Sequence, residues 1–232
     1  MRYQVREIFN TIAGEGRWIG HPTTFIRMGR CNLTCDHCDT DYNTNVKAME
    51  DTAILKAVKA LPVTRFITIS GGEPLAQNLA PLIAKLAGEG YSHTHIETNG
   101  TFPLSCAVSW ICVSPKLMFG GSKVDWGTVL NANEIKFPIR NVDDLVRAER
   151  FRRTFNVELA KRFPATINMA LWYLHPWNDN FDYAKPGFIK DVEGTKTMKG
   201  RNREAIKICV DHALETGRWL VSIQGHKVLE VP

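Results

Sequence analysis

The chain has 232 residues, 44% of them hydrophobic, enough for one sizeable core, and a single domain over residues 1–232 is expected. Its 29 Lys and Arg against 24 Asp and Glu leave +5, spread along the chain instead of gathered into a basic arm, which argues against a nucleic-acid groove. There is no apolar run long enough to cross a bilayer, and the opening MRYQVREIFN is charged and amphipathic, so no membrane span or secretion signal is expected. A cytoplasmic setting follows, where thiols stay reduced and clustered cysteines point to metal or catalysis.

In chain order, short apolar runs predict strands over Gln4–Phe9, Thr23–Met28, Phe66–Ser70, His93–Glu97, Trp110–Val113, Asn133–Phe137, Thr166–Leu174 and Trp219–Gln224. Apolar residues three and four apart predict helices around Ile54, Leu55 and Val58, and around Leu79, Leu82, Ile83 and Leu86. The same spacing recurs at Val142, Leu145 and Val146, and at Ile206, Cys209, Val210 and Leu214. Gly88, Gly90 and Gly217 stand where such helices stop. Strand and helix in alternation predict an α/β fold with a mostly parallel sheet, open or curved toward a barrel, whose site lies at the carboxyl ends of the strands.

Four of those strand ends carry distinctive sequence: the loop CNLTCDHCDT (31–40), then SGGEP (70–74), ETNGT (97–101) and SPK (114–116). Successive strand ends converge on one pocket. Cys31, Cys35 and Cys38 can wrap one face of a compact centre, while Cys106, Cys112 and Cys209 are isolated. A structural zinc wants four ligands, and His37 or a distant cysteine could complete such a site. A four-iron, four-sulfur cluster on three thiolates instead keeps one iron open for a ligand.

Cys-x3-Cys-x2-Cys followed by Gly71-Gly72-Glu73-Pro74 resembles the signature of radical S-adenosylmethionine (SAM) enzymes. Further, EIFNTIAGEG (7–16), Thr24–Arg27, NEIKFP (133–138) and SIQGHK (222–227) occur in the order and approximate spacing of the 7-carboxy-7-deazaguanine synthase family, so the resemblance runs from end to end. It implies a partial, modified (β/α) barrel of the radical SAM type. It also implies a lyase that converts 6-carboxy-5,6,7,8-tetrahydropterin to 7-carboxy-7-deazaguanine with loss of ammonia, in queuosine and other 7-deazapurine biosynthesis.

On this resemblance Cys31, Cys35 and Cys38 hold the [4Fe-4S] cluster that generates the radical. SAM meets His37, Cys38, Asp39, Gly71, Gly72, Glu73, Glu97 near the ribose, Ser114, Pro115, Lys116 and His175, with Asn133–Lys136 on the adenine side. The substrate meets Ile12, Ala13, Gly14, Glu15, Arg27 through its carboxylate, Ser70, His226 and the end group of Pro232. Thr40 gives its hydroxyl to Mg2+, a hard ion that keeps several waters. A flavodoxin- or ferredoxin-like electron donor and a homodimer are implied as well. The sequence departs from the family's pattern at Ala13 and His175, where glutamine is common, and at Gly225, where threonine is usual. Two rivals share single features: a glycyl-radical-activating enzyme has the cysteine motif but no role for Arg27, Thr40 or His226, and a zinc-stabilised binding module would be colourless.

Overall fold

The computed structural model describes residues 1–35, 38, 41–62, 64–116, 123–167, 169–177, 188–190, 196–198 and 202–229. Among them a nine-stranded sheet runs in the order β11-β8-β7-β6-β5-β4-β2-β1-β3. Its parallel part comprises β2 (Pro22–Met28), β4 (Phe66–Gly71), β5 (His93–Thr98), β6 (Trp110–Val113), β7 (Glu134–Ile139), β8 (Leu171–Pro176) and β11 (Leu220–Val221). Two antiparallel additions close one side: β1 (Arg2–Ile12) against β2, and β3 (Lys47–Glu50) against β1. A separate two-stranded piece pairs β9 (Phe188–Lys190) with β10 (Lys196–Met198).

Helices α1 (Asp51–Lys59), α2 (Ala80–Gly88), α3 (Trp126–Leu130), α4 (Val142–Arg162) and α5 (Arg203–Thr216) link the strands, and α6 (Gly225–Leu229) follows β11. The predicted start and stop signals work locally. The Asn141 and Asn202 side chains accept N–H bonds from the first turns of α4 and α5, and Gly217 ends α5 in the left-handed conformation at φ 63°. Each strand sends alternate side chains to opposite faces. On the helix-covered face lie two apolar cores, one around Ile26, Ile67, Ile69 and Ile96, the other around Ile135, Phe137, Phe155, Trp172 and Trp219.

The sheet is not flat. Strands β1 and β7 are five places apart in the sheet order, about 24 Å at the usual strand spacing of ~4.8 Å. Yet Arg17, a few residues past β1, donates its backbone N–H to Glu134 of β7 at 3.0 Å, and Gly16 N lies 3.4 Å from Ser222 Oγ beyond β11. Only a curled sheet brings those ends together. The architecture is therefore an open partial barrel with mostly parallel strands.

Several expected boundaries move. The run expected over Thr166–Leu174 becomes Leu171–Pro176, because Ile167 and Met169 are exposed at 79% and 84% and bury nothing. Trp219–Gln224 shortens to Leu220–Val221. In α4, Val142 and Val146 face solvent, while Ala148, Phe151, Phe155 and Leu159 supply the buried stripe.

Candidate functional site

At the carboxyl ends of the parallel strands the backbone itself ties the loops together. Arg30 adopts a left-handed conformation (φ 66°), donates its N–H to Tyr42 O at 2.9 Å, and accepts at its own carbonyl from Glu73 N at 2.9 Å. A Cβ on Gly72 would stand 1.7 Å from that Arg30 oxygen, and one on Gly71 2.2 Å from Met28 O. These two glycines are required by the close passage of the cysteine loop over β4. Glu73 is fully buried, and its carboxylate accepts bonds from Thr98 Oγ1 (2.6 Å), Asn99 N (2.7 Å) and Leu75 N (2.9 Å). Its side chain is thus a brace between two strand-end loops, with the neighbouring main chain left to face a ligand. Asn32 completes the tie through Asn99 and Thr101 at 3.0 Å each.

Cys31, Cys35 and Cys38 stand on this loop outside any disulfide; Cys38 is exposed and the other two are half-buried. Burial pushes the Cys31 thiol up, and Tyr42 feels the charge of all three sulfurs, so they share one neighbourhood. Among the described residues no three His, Cys, Asp or Glu side chains close on a single ion-sized point. A four-iron cluster suits the donor set present, since its thiolates attach to different iron atoms and none of the three cysteines is in a disulfide.

Inside the curl, the helix-free face of the strands is polar. From β2 comes Arg27, bonded to Glu7 Oε1 at 2.7 Å and lying 5.1 Å over the Phe9 ring. Ser70, its register partner on β4, donates to Glu97 Oε2 on β5 at 2.8 Å. From β7 comes Lys136, buried, with Nζ 3.0 Å from Glu15 Oε2 and 3.9 Å from Glu97 Oε1. Gln224 donates to the other Glu15 oxygen at 3.1 Å, and His175 Nε2 lies 3.9 Å from it. Burial works to raise the Glu15 carboxyl, but Lys136, His175 and His226 outweigh it and hold it well below the ordinary carboxylate range. Burial likewise opposes the Lys136 ammonium; neighbouring Cys112, Glu15, Glu97 and Glu134 outweigh it and hold it well above the usual lysine value. Burial drives the Cys112 thiol well up, so at neutral pH the carboxylates provide that compensation.

The loop after β1 floors the chamber. Ala13 exchanges backbone bonds with His21 and Gly20 at 2.7 and 2.8 Å, following the pairing of Ile12 with Pro22. A Cβ on Gly14 would meet His226 Nδ1 at 2.0 Å, and Gly225 N donates to Gly14 O at 2.7 Å. Gly225 is itself pressed by Ile19, whose Cδ1 would lie 2.8 Å from a Cβ there. Beneath, Trp18, His21, Phe66, His95 and Trp110 form a ring stack that plugs the amino end, and burial, with His93 and His21 nearby, pushes His95 down to about 4.

The structure therefore gathers Glu15, Arg27, Ser70, Glu97, His175 and His226 around one chamber, with Cys31, Cys35, Cys38, Gly71 and Gly72 at its rim. Ser114 and Lys116 sit beside that rim, joined by a 2.8 Å bond, and Ser114 N bonds Thr98 O at 2.8 Å; Pro115 between them is buried. His37, Asp39, Thr40 and Pro232 lie outside the described residues. The residues that sequence reasoning left without a site role are Cys112, Ser222 and Gln224, and it gave Glu134 and Lys136 only the adenine side. The available signal was the charged pair Glu134 and Lys136 alternating with Ile135 and Phe137, since a parallel strand covered on both faces reads as continuously apolar.

An open parallel barrel with a three-cysteine loop braced over a Gly-Gly turn defines a radical SAM enzyme, and the model of the Radical SAM superfamily matches residues 25–107. The 7-carboxy-7-deazaguanine synthase of Synechocystis sp. is 35% identical over 236 residues, spanning 99% of this chain and 93% of that protein. The Escherichia coli K12 protein of the same name is 34% identical over 255 residues, spanning all of both. The crystal structure of QueE from Escherichia coli superposes with a TM-score of 0.75 at 25% identity, over 97% of this chain and 95% of that one. The chain belongs to the 7-carboxy-7-deazaguanine synthase family.

Proposed function

We propose that this chain converts 6-carboxy-5,6,7,8-tetrahydropterin to 7-carboxy-7-deazaguanine with release of ammonia, as one domain that works as a radical SAM lyase in 7-deazapurine biosynthesis. The observation that carries this is similarity along the entire chain to synthases of that name, at 34–35% identity. Cys31, Cys35 and Cys38 would hold the [4Fe-4S] cluster. When bound, the cluster would supply one electron to the sulfonium of SAM, and SAM, split into methionine and a 5′-deoxyadenosyl fragment, would supply the carbon-centred radical for hydrogen abstraction from the substrate.

The chain's own groups bind, orient and shield. Arg27 offers two parallel donors to the pterin carboxylate, and Glu7 and Phe9 hold its guanidinium ready on the inner face. Glu97, steadied by Ser70, accepts the ribose hydroxyls of SAM, and the main chain at Gly71 and Gly72 meets its methionyl end. Glu15, kept ionised, accepts N–H groups of the pterin; His226 lies over Gly14 at the same floor. The ring stack at the amino end keeps bulk water out.

Further roles carried by the family are a magnesium ion on Thr40, the Pro232 end group on the pterin, a flavodoxin- or ferredoxin-like reductant, a homodimer and a cytoplasmic setting. No helix among the described residues is long and apolar enough to cross a membrane. The test is anaerobic purification with iron and sulfide assay, then incubation with SAM, dithionite, Mg2+ and the carboxytetrahydropterin. A brown protein yielding 7-carboxy-7-deazaguanine is expected, with turnover lost when Mg2+ is chelated. Stoichiometric zinc in a colourless protein would overturn the reading.

A further inference from the structure

We infer that Lys136 is a positioning residue shared by the two ligand sites, and that through it occupancy of the SAM site and of the pterin site are coupled. This rests on the assignment of Glu97 to SAM and Glu15 to the pterin. The geometry is specific. One ammonium, on a side chain only 8% exposed, stands 3.0 Å from Glu15 and 3.9 Å from Glu97. Glu15 arrives on the loop after β1, Glu97 on β5 and Lys136 on β7, so three separate parts of the chain meet at one cation.

The two carboxylates are not held alike. Glu15 has a second partner inside the protein, Gln224, and is 21% exposed. Glu97 has Ser70 and is 38% exposed, open toward the chamber. Two further groups keep the cation from wandering: Glu134, two residues back on the same face of β7, is fixed by Arg17 N, and Cys112 lies alongside. The ammonium thus leans on Glu15 at 3.0 Å, with Glu97 the next carboxylate at 3.9 Å. A ribose diol at Glu97 expels water from that carboxylate and strengthens its field on Lys136, because the local dielectric falls. The Glu15 limb is then met by the pterin already ordered and partly dry, so the second ligand loses less in ordering it. Coupling of this kind is reciprocal: whichever ligand binds first tightens the other by the same factor.

Anaerobic calorimetry on the cluster-loaded protein tests this without turnover. Kd for SAM is measured with and without saturating 6-carboxy-5,6,7,8-tetrahydropterin, and Kd for the pterin with and without SAM. The unchanged protein should show the same tightening in both directions, about fivefold or more, the usual size of such coupling. K136M should bring both ratios to one. K136R should retain them, since it keeps the charge, and E97Q should remove the coupling while pterin binding alone persists. Should K136M fail to fold, E97Q and K136R decide the matter. Ratios that stay at the unchanged value in E97Q or K136M overturn the shared role of Lys136 and leave the assigned reaction standing. An unchanged protein that binds SAM but not the pterin overturns the substrate reading, and this inference with it.

Discussion

The two faces of one strand set different rules. On β7, Ile135, Phe137 and Ile139 point into the helix-covered core, whereas Glu134 and Lys136, alternating with them, point into the chamber. On β4, Ile69 is fully buried in the core and Ser70 beside it holds Glu97. The covered face stores stability in apolar contact. The inner face keeps charge out of water and satisfies it with specific partners, a costly arrangement that makes sense where a polar ligand must be gripped.

That division can be broken at five points, from the largest effect down. Replacing Cys31, Cys35 or Cys38 by Ala should abolish iron, sulfide and turnover together, with the melting curve of the metal-free protein little changed; iron analysis and circular dichroism check this. Gly14→Ala puts a methyl into His226, and a misplaced substrate floor should lower kcat/KM on the order of 10²-fold. Ile69→Ala removes a fully buried side chain and should destabilise by about 3 kcal/mol in urea unfolding, while turnover per folded molecule holds. Ser70→Ala, one residue along, should do the reverse: near-native stability, with KM for SAM raised roughly tenfold through the loosened Glu97. The smallest effect is on pH dependence. The Glu15 carboxyl is depressed in the folded chain, so it contributes stability above the ordinary carboxylate value and loses it as pH falls from there toward the folded value. Melting temperatures below about pH 4.5 should therefore fall less steeply in Glu15→Gln than in the unchanged chain.

The parallel strands could be read because each is a compact apolar run bounded by Gly, Pro or polar residues, and their carboxyl ends announced the rim motifs. Strand β3, KAME, was invisible: it is four residues long, lies at the sheet edge and carries no apolar run. Strands β9 and β10 escaped because each is only three residues long. In the chamber, Arg27, Ser70 and Glu97 lie on strands the sequence delimits, so their meeting followed from strand order. The Lys136 cluster did not, since it depends on how tightly the sheet curls, and curl is set by packing between residues two hundred positions apart. The tail reading on Pro232, and Thr40 with His37 and Asp39, lie outside the described residues.

The bond from Gln224 to Glu15 spans 209 positions, and the contact of Gly16 with Ser222 spans 206. Contacts this distant in sequence form late, after the costly closure of a long loop. During synthesis, then, the covered face can condense strand by strand behind the ribosome, while the chamber floor waits until nearly the whole polypeptide has emerged. A nascent chain that has its cysteines but not yet Ser222 and Gln224 therefore lacks the groups that close the Gly16 and Glu15 side of the chamber.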